Sequence, residues 1–129
     1  MTNSNENLIH TYFDAINRRD METALCVFAD EIILHCPGRS RVSGMYHGKQ
    51  ELLSFWQKQM DISGGTFHPN VVGILTSDER IVVLADLTAE REGKTFEWRR
   101  SLDYLTRNGR IEEAWVYESD QYLADELFS

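Results

Sequence analysis

Cysteine is nearly missing from this chain, with only Cys26 and Cys36 in 129 residues. Two cysteines cannot build a disulfide scaffold, and both are expected as reduced thiols. No Cys-x-x-Cys or His-Glu-x-x-His spacing occurs. His10, His35, His47 and His68 are scattered, so no metal site is expected. There is no glycine-rich phosphate loop and no Gly-x-Ser-x-Gly elbow, which argues against a nucleotide cofactor and a hydrolase nucleophile. No cofactor of any kind is expected. Positive charge is in deficit: 13 Lys and Arg face 21 Asp and Glu, a net charge of −8. Such a chain repels phosphate backbones, so neither nucleic acid nor an anionic membrane is an expected partner. Apolar runs are short, as in Ile81 to Ala85, and none could span a bilayer. Met1 to Glu6 are polar and show no basic-then-apolar signal, so a cytoplasmic location is expected.

What is present suits one soluble domain covering residues 1–129. Apolar residues make up 42% and charged residues 26%, a globular composition. A chain of this length buries about two-thirds of its unfolded surface and can carry a true core.

Leu8, Ile9, Tyr12, Phe13 and Ile16 recur at helical spacing, and Asn3 or Ser4 can cap that helix. It ends near Asn17 to Arg19. Asp20 then caps a short second helix with the stripe Met21, Ala24, Leu25 and Phe28, giving an αα-hairpin. Ile32 to Cys36 reads as a strand stopped by Pro37-Gly38. Arg39 to Gly48 is polar and punctuated by glycine, and reads as a loop or irregular edge. Lys49 to Met60 forms a third helix with Leu52, Leu53, Trp56 and Met60 buried and Phe55 flanking. Strands follow at Thr66–Leu75, Ile81–Arg91, Thr95–Thr106 and Ile111–Glu118, with Arg107-Asn108-Gly109 as a hairpin turn. Tyr122 to Phe128 is a short helix or tail. The order α-α-β-α-β-β-β-β predicts an α+β domain, a curved antiparallel sheet wrapped cone-like around three helices.

Three segments carry a resemblance. They are Tyr12 to Asp20, then Phe28-Ala29-Asp30-Glu31 with the strand ending at Pro37-Gly38 and Ser43-Gly44, and Leu102-Asp103-Tyr104 leading to Trp115 and Asp120. With the element order, they make the chain resemble the nuclear transport factor 2-like superfamily, in its SnoaL-like and ketosteroid isomerase-like branch. The fold does not fix the activity. In ketosteroid isomerases, a tyrosine and a protonated aspartic acid form the oxyanion hole, and another aspartate moves the proton (a worked case of pKa tuning). By that resemblance Tyr12 and Asp103 are the donors, and the base position falls on Cys36. A thiol is poorly suited there, with a pKa of about 8.5 that rises on burial in apolar surroundings. Resemblance to SnoaL-like cyclases makes Asp120 or His35 the acid or base.

His35 and Cys36 are neighbours on a strand, so a regular strand turns only one of them inward. Glu118 shares a side with Asp120 and joins Cys36, Phe55 and Trp56 as an expected pocket-lining residue. The resulting expectation is a cofactor-independent acid/base enzyme, an isomerase, cyclase, dehydratase or epoxide-opening type. Its substrate would be a small, largely apolar, polyketide- or steroid-like molecule. The alternative is a non-catalytic ligand-binding or dimeric interaction domain. The resemblance also implies a homodimer through the outer sheet face, where Trp115 and Tyr117 would lie.

Overall fold

The computed structural model describes residues 4–129. Asn3, one of the two expected caps, lies outside them. The first helix, α1 (Ser4–Asn17), buries Ile9, Tyr12 and Ala15 on the stripe that its spacing predicts. Its start is fixed to a distant turn. Asn5 Nδ2 donates to the Ser77 carbonyl at 2.7 Å and the Asp78 carbonyl at 3.1 Å. The chain reverses at Arg19, whose φ is 59°. Asp20 then caps α2 (Met21–Cys26), accepting from the Thr23 amide at 3.2 Å and the Thr23 hydroxyl at 2.6 Å. Those bonds hold the Asp20 carboxyl below the usual carboxylate range.

Six strands form one sheet: β1 (Phe28–Cys36), β2 (Gly44–His47), β3 (His68–Thr76), β4 (Arg80–Arg91), β5 (Lys94–Arg107) and β6 (Arg110–Glu118). Between β2 and β3 runs α3 (Lys49–Ile62), and α4 (Gln121–Leu127) closes the chain. The strand order is β2-β1-β6-β5-β4-β3. Neighbours are antiparallel except β1 and β6, which run parallel. This is the expected α+β architecture, with two additions. The strand β1 begins at Phe28, four residues earlier than its apolar run, and shifts register against β6 between Phe28 and Ile33. The segment expected as a loop holds β2, because Gly44 to His47 pair with Cys36 to Ile33 and Tyr46 turns inward to donate to the Val42 carbonyl at 2.7 Å.

Helix α3 also differs from its expected face. Leu52, Phe55 and Gln59 are buried, whereas Met60 is exposed. The polar Gln59 takes the inward position because it has a buried partner, described below. Strand alternation sorts the sheet into two faces. Phe96, Trp98, Arg100 and Tyr104 of β5 face the helices, as do Ala114 and Val116 of β6 and Leu34 and Cys36 of β1. The other face carries Asp103, Trp115 and His35 in one register row across β5, β6 and β1.

The turn after β1 needs a glycine. Gly38 has φ +99°, and a Cβ there would collide with Asp125 Oδ1 and Gln121 Nε2 of α4. Gly38→Ala is expected to cost about 1–3 kcal/mol and lower the melting temperature by several degrees in thermal unfolding followed by circular dichroism. An unchanged melting temperature would show that α4 does not depend on this close approach.

Candidate functional site

The inner face contains two aromatic groups with a polar centre between them. The first group is Tyr12 of α1, Phe28 of β1, Trp56 of α3 and Tyr104 of β5. Tyr12 stands 5.5 Å from Phe28 and 6.0 Å from Trp56 between ring centroids, and Phe28 is 6.3 Å from Tyr104. The second group is Phe67, Trp98 and Phe128, with centroid separations of 6.1 to 6.5 Å. Arg100 lies on β5 between Trp98 and Tyr104, on the same strand face.

Arg100 is 4% exposed. Its Nε donates to Glu118 Oε1 at 2.8 Å and its Nη2 to Glu118 Oε2 at 2.9 Å, a two-pronged pairing. Nη1 donates to Gln59 Oε1 at 2.7 Å. The guanidinium carbon also stands 5.5 Å from the Phe67 ring centroid. Burial works against the Arg100 charge, but Glu118 outweighs it and raises the guanidinium pKa above its usual value. Glu118 has only 3% of its side chain exposed. An exchange of such a pair for apolar residues is often neutral or stabilising. Such a pair is therefore weak evidence of a stabilising role.

Around this pair, the titratable groups are held neutral. Burial pushes the Tyr12 and Tyr104 hydroxyls well above the ordinary phenol value, and the Arg100 charge offsets only part of that. No hydrogen bond of either hydroxyl is found among the described residues, and neither oxygen is, like Trp98 Nε1, both fully buried and unpaired. Burial pushes the Cys36 thiol up to about 12, with Arg100 pulling down and Glu118 and Asp125 pushing up. Cys36 is thus an inward neutral thiol at the position directly before Pro37, unsuited to take a proton near pH 7.

The structure places the expected catalytic residues as follows. Tyr12 is inward, but Asp103 is not beside it. Asp103 lies on the outer face, 3.4 Å from Arg80, because Tyr104 next to it turns inward. His35 is also on the outer face, since Cys36 takes the inner one. Its Nε2 is 2.6 Å from Glu113 Oε2, and its ring stacks on Trp115 at 5.3 Å. Asp120 is exposed and caps α4, accepting from the Leu123 amide at 3.0 Å. Tyr12, Asp103, His35 and Asp120 therefore do not converge. Of the expected pocket residues, Cys36, Phe55 and the Glu118 side chain are buried, with Phe55 packed on Tyr46 at 5.0 Å, and Trp56 is partly buried. Asp86 turns outward to Arg99 at 2.8 Å, as its place in an apolar strand predicts.

Arg100, Gln59 and Tyr104 were not among the expected site residues. Strand parity was the available signal: Phe96, Trp98, Arg100, Leu102 and Tyr104 alternate with Asp103. Two hollows lie elsewhere. One, of about 300 Å³, is lined by Ala29, Arg107, Asn108, Arg110 and Glu112. The other, of about 330 Å³, lies between α1 and β3 beside Glu6, His10 and Gly73. Neither touches the buried pair. Among the described residues, no cluster of three or more His, Cys, Asp and Glu is placed to hold a metal ion. None of their helices is long and apolar enough to cross a membrane.

A curved six-stranded sheet closed by helices over a buried polar centre defines a cone-shaped α+β domain of the nuclear transport factor 2-like kind. The chain belongs to the SnoaL-like domain family, which matches residues 9–114. Its structure is similar to Bal32a from a soil-derived mobile gene cassette, at TM-score 0.91 and 28% identity, covering 98% of this chain and 97% of that one. It is similar to a nuclear transport factor 2-like protein from Burkholderia xenovorans, at TM-score 0.82 and 20% identity over 100% and 98% of the two chains. A candidate polyketide cyclase from Xanthomonas campestris matches at TM-score 0.71 and 18% identity over 95% and 96%. Comparison with curated protein sequences gives no match.

The neutral interior predicts alkaline sensitivity. The folded chain keeps protons on Cys36 and Tyr46, both pushed up to about 12, that the unfolded chain releases from about pH 9 to 10. This contribution is complete below pH 9 and is lost as pH rises towards 12. Melting temperature is expected to fall steadily from pH 9 to 11, with a shallower fall in Cys36→Ser. A flat profile would show that these groups are not buried as described.

Proposed function

We propose that the chain binds a small, largely apolar molecule inside the cone and moves a proton on it without a cofactor. The observation that carries this reading is the buried Arg100–Glu118 pair beside two neutral, partnerless tyrosine hydroxyls. Tyr12 and Tyr104 supply neutral donors to an oxygen that gains negative charge, the preorganised stabilisation that lowers such barriers. Glu118 is the proton acceptor. Arg100 engages each of its oxygens once, and a carboxylate has about four acceptor positions, so lone pairs remain. Arg100 and Gln59 fix its orientation. Tyr104 thus takes the part expected of Asp103, and Glu118 the part expected of Asp120 or His35. Isomerisation, cyclisation, dehydration and epoxide opening all fit these roles, and the resemblance to a candidate polyketide cyclase supports a substrate of that size and polarity.

One observation favours the non-catalytic alternative: the position before Pro37 holds a thiol that stays protonated. Turnover of a panel of enones, phenols and epoxides separates the two. Glu118→Gln is expected to lower turnover by about 100-fold or more. Tyr104→Phe is expected to lower it too, and Asp103→Asn to leave it unchanged. Melting curves show whether each variant remains folded. Full rate in a folded Glu118→Gln variant, or no turnover by the unaltered chain, would contradict the catalytic reading.

The outer sheet face supports a homodimer. Met45 is 66% exposed, Leu75 60% and Tyr117 55%, with Trp115 between them. Arg80, Arg99, Asp86 and Asp103 add charges of both signs to the same face, which suits a self-complementary contact. Light scattering is expected to give twice the chain mass, and Tyr117→Arg to return it to one. A monomer at micromolar concentration would remove this surface from the account.

A further inference from the structure

Trp98 Nε1 differs from the tyrosine hydroxyls: among the described residues it is the one fully buried side-chain nitrogen or oxygen atom without a partner. The residue as a whole is 6% exposed. An unsatisfied buried donor is destabilising, so natural structures rarely keep one without a use. Trp98 is two positions from Arg100 on the inner face of β5. Both touch Phe67. Its ring lies 6.5 Å from Trp98 and 5.5 Å from the Arg100 guanidinium carbon. Phe128, at the end of α4, covers Trp98 edge-on at 6.3 Å.

The hydrogen-bond inventory of this region is one-sided. Arg100 has five N–H groups, and three of them are engaged by Glu118 and Gln59. Two remain for a partner, on the same face of β5 as the indole. Gln59 Oε1 is engaged, and the Glu118 oxygens already face Arg100. Every acceptor atom of this group thus already has a partner, and the one atom with none is a donor, Trp98 Nε1. The charge, in contrast, is balanced: Arg100 and Glu118 cancel.

We infer that Trp98 Nε1, with the spare N–H groups of Arg100, forms a subsite for an uncharged oxygen acceptor of the ligand, such as a ketone carbonyl. Phe67 lies against it and Phe128 covers it. A carboxylate would fit the donors but bring an unbalanced charge into a region already neutral, with its desolvation uncompensated. A bare hydrocarbon would leave the indole N–H unpaired. This inference rests on ligand binding inside the cone, and it adds the polarity of the ligand and the residue that reads it.

The test uses three probes of similar shape: 1-tetralone, tetralin and 1-naphthoate. Binding is measured by calorimetry, and the Trp98 indole N–H is followed by nitrogen-15 NMR, with its signal identified from Trp98→Phe. Tetralone is expected to bind about ten-fold tighter than tetralin, the value of about one hydrogen bond, and to shift the Trp98 signal. Naphthoate is expected to bind weakest. Trp98→Phe keeps an aromatic ring and should erase the advantage of tetralone over tetralin. An advantage that survives Trp98→Phe, a Trp98 signal unmoved by bound tetralone, or tightest binding by naphthoate overturns the subsite and leaves cone-interior binding standing. Failure of all three probes to bind overturns both.

Discussion

A guanidinium taken out of water must be paired, and in this domain the pairing organises the interior. Arg100 sits on the inner face of β5 with Glu118 of β6 on one side and Gln59 of α3 on another. Three elements are thereby tied at one point. Removal of either charged partner would leave the other buried and uncompensated, at a cost of about 3–5 kcal/mol. The pair also explains why a polar glutamine occupies the buried face of α3, and why the surrounding phenols and thiol can remain neutral without leaving the interior charged. Apolar residues could fill the same volume with less specific geometry. The retained pair makes sense as fixed polarity offered to a guest.

Packing around that centre is aromatic and divided. Tyr12, Phe28, Trp56 and Tyr104 stand towards α1 and α3, while Phe67, Trp98 and Phe128 stand beneath α4. Each group gives apolar contact for a ring-sized molecule, and each contains hydrogen-bond donors without a protein acceptor. The C-terminal segment contributes to this arrangement directly. Phe128 is fully buried, and Arg91 Nη1 donates to the Leu127 carbonyl at 2.6 Å, fixing the segment over the second group. A ligand reaching Trp98 would have to pass or reposition that cover.

Much of the fold was legible in the sequence because periodicity reports burial. The stripe Ile9, Tyr12 and Ile16, the Asp20 cap and the Asn108-Gly109 turn each encode a local geometry with few alternatives. The short strand β2 was not legible, since its four residues turn only one apolar side chain, Tyr46, inward and lie between Ser43 and Gly48. The site was less legible. Resemblance put Asp103 beside Tyr12, but a strand changes face at every residue, and Tyr104 claimed the inner one. The same parity sent His35 outward to Glu113 and left Cys36 inside. Asp120 lies past the end of β6, where its carboxylate caps α4 instead of facing the interior. Glu118 was recognised as inward, but its partner Arg100 was visible only through the alternation of β5. Charged residues inside strands carry more information when their face is assigned before their chemistry.

The central claim is that the Arg100–Glu118 centre meets the ligand. The most direct measurement compares the carbonyl stretching frequency of bound 1-tetralone, by difference infrared spectroscopy, in the unaltered chain and in Arg100→Met combined with Glu118→Leu. The paired replacement avoids a stranded charge and is expected to fold. The account predicts a lowered frequency in the unaltered chain, as hydrogen bonding to a carbonyl produces, and a clear rise in the double variant. The same frequency in both folded proteins would contradict it.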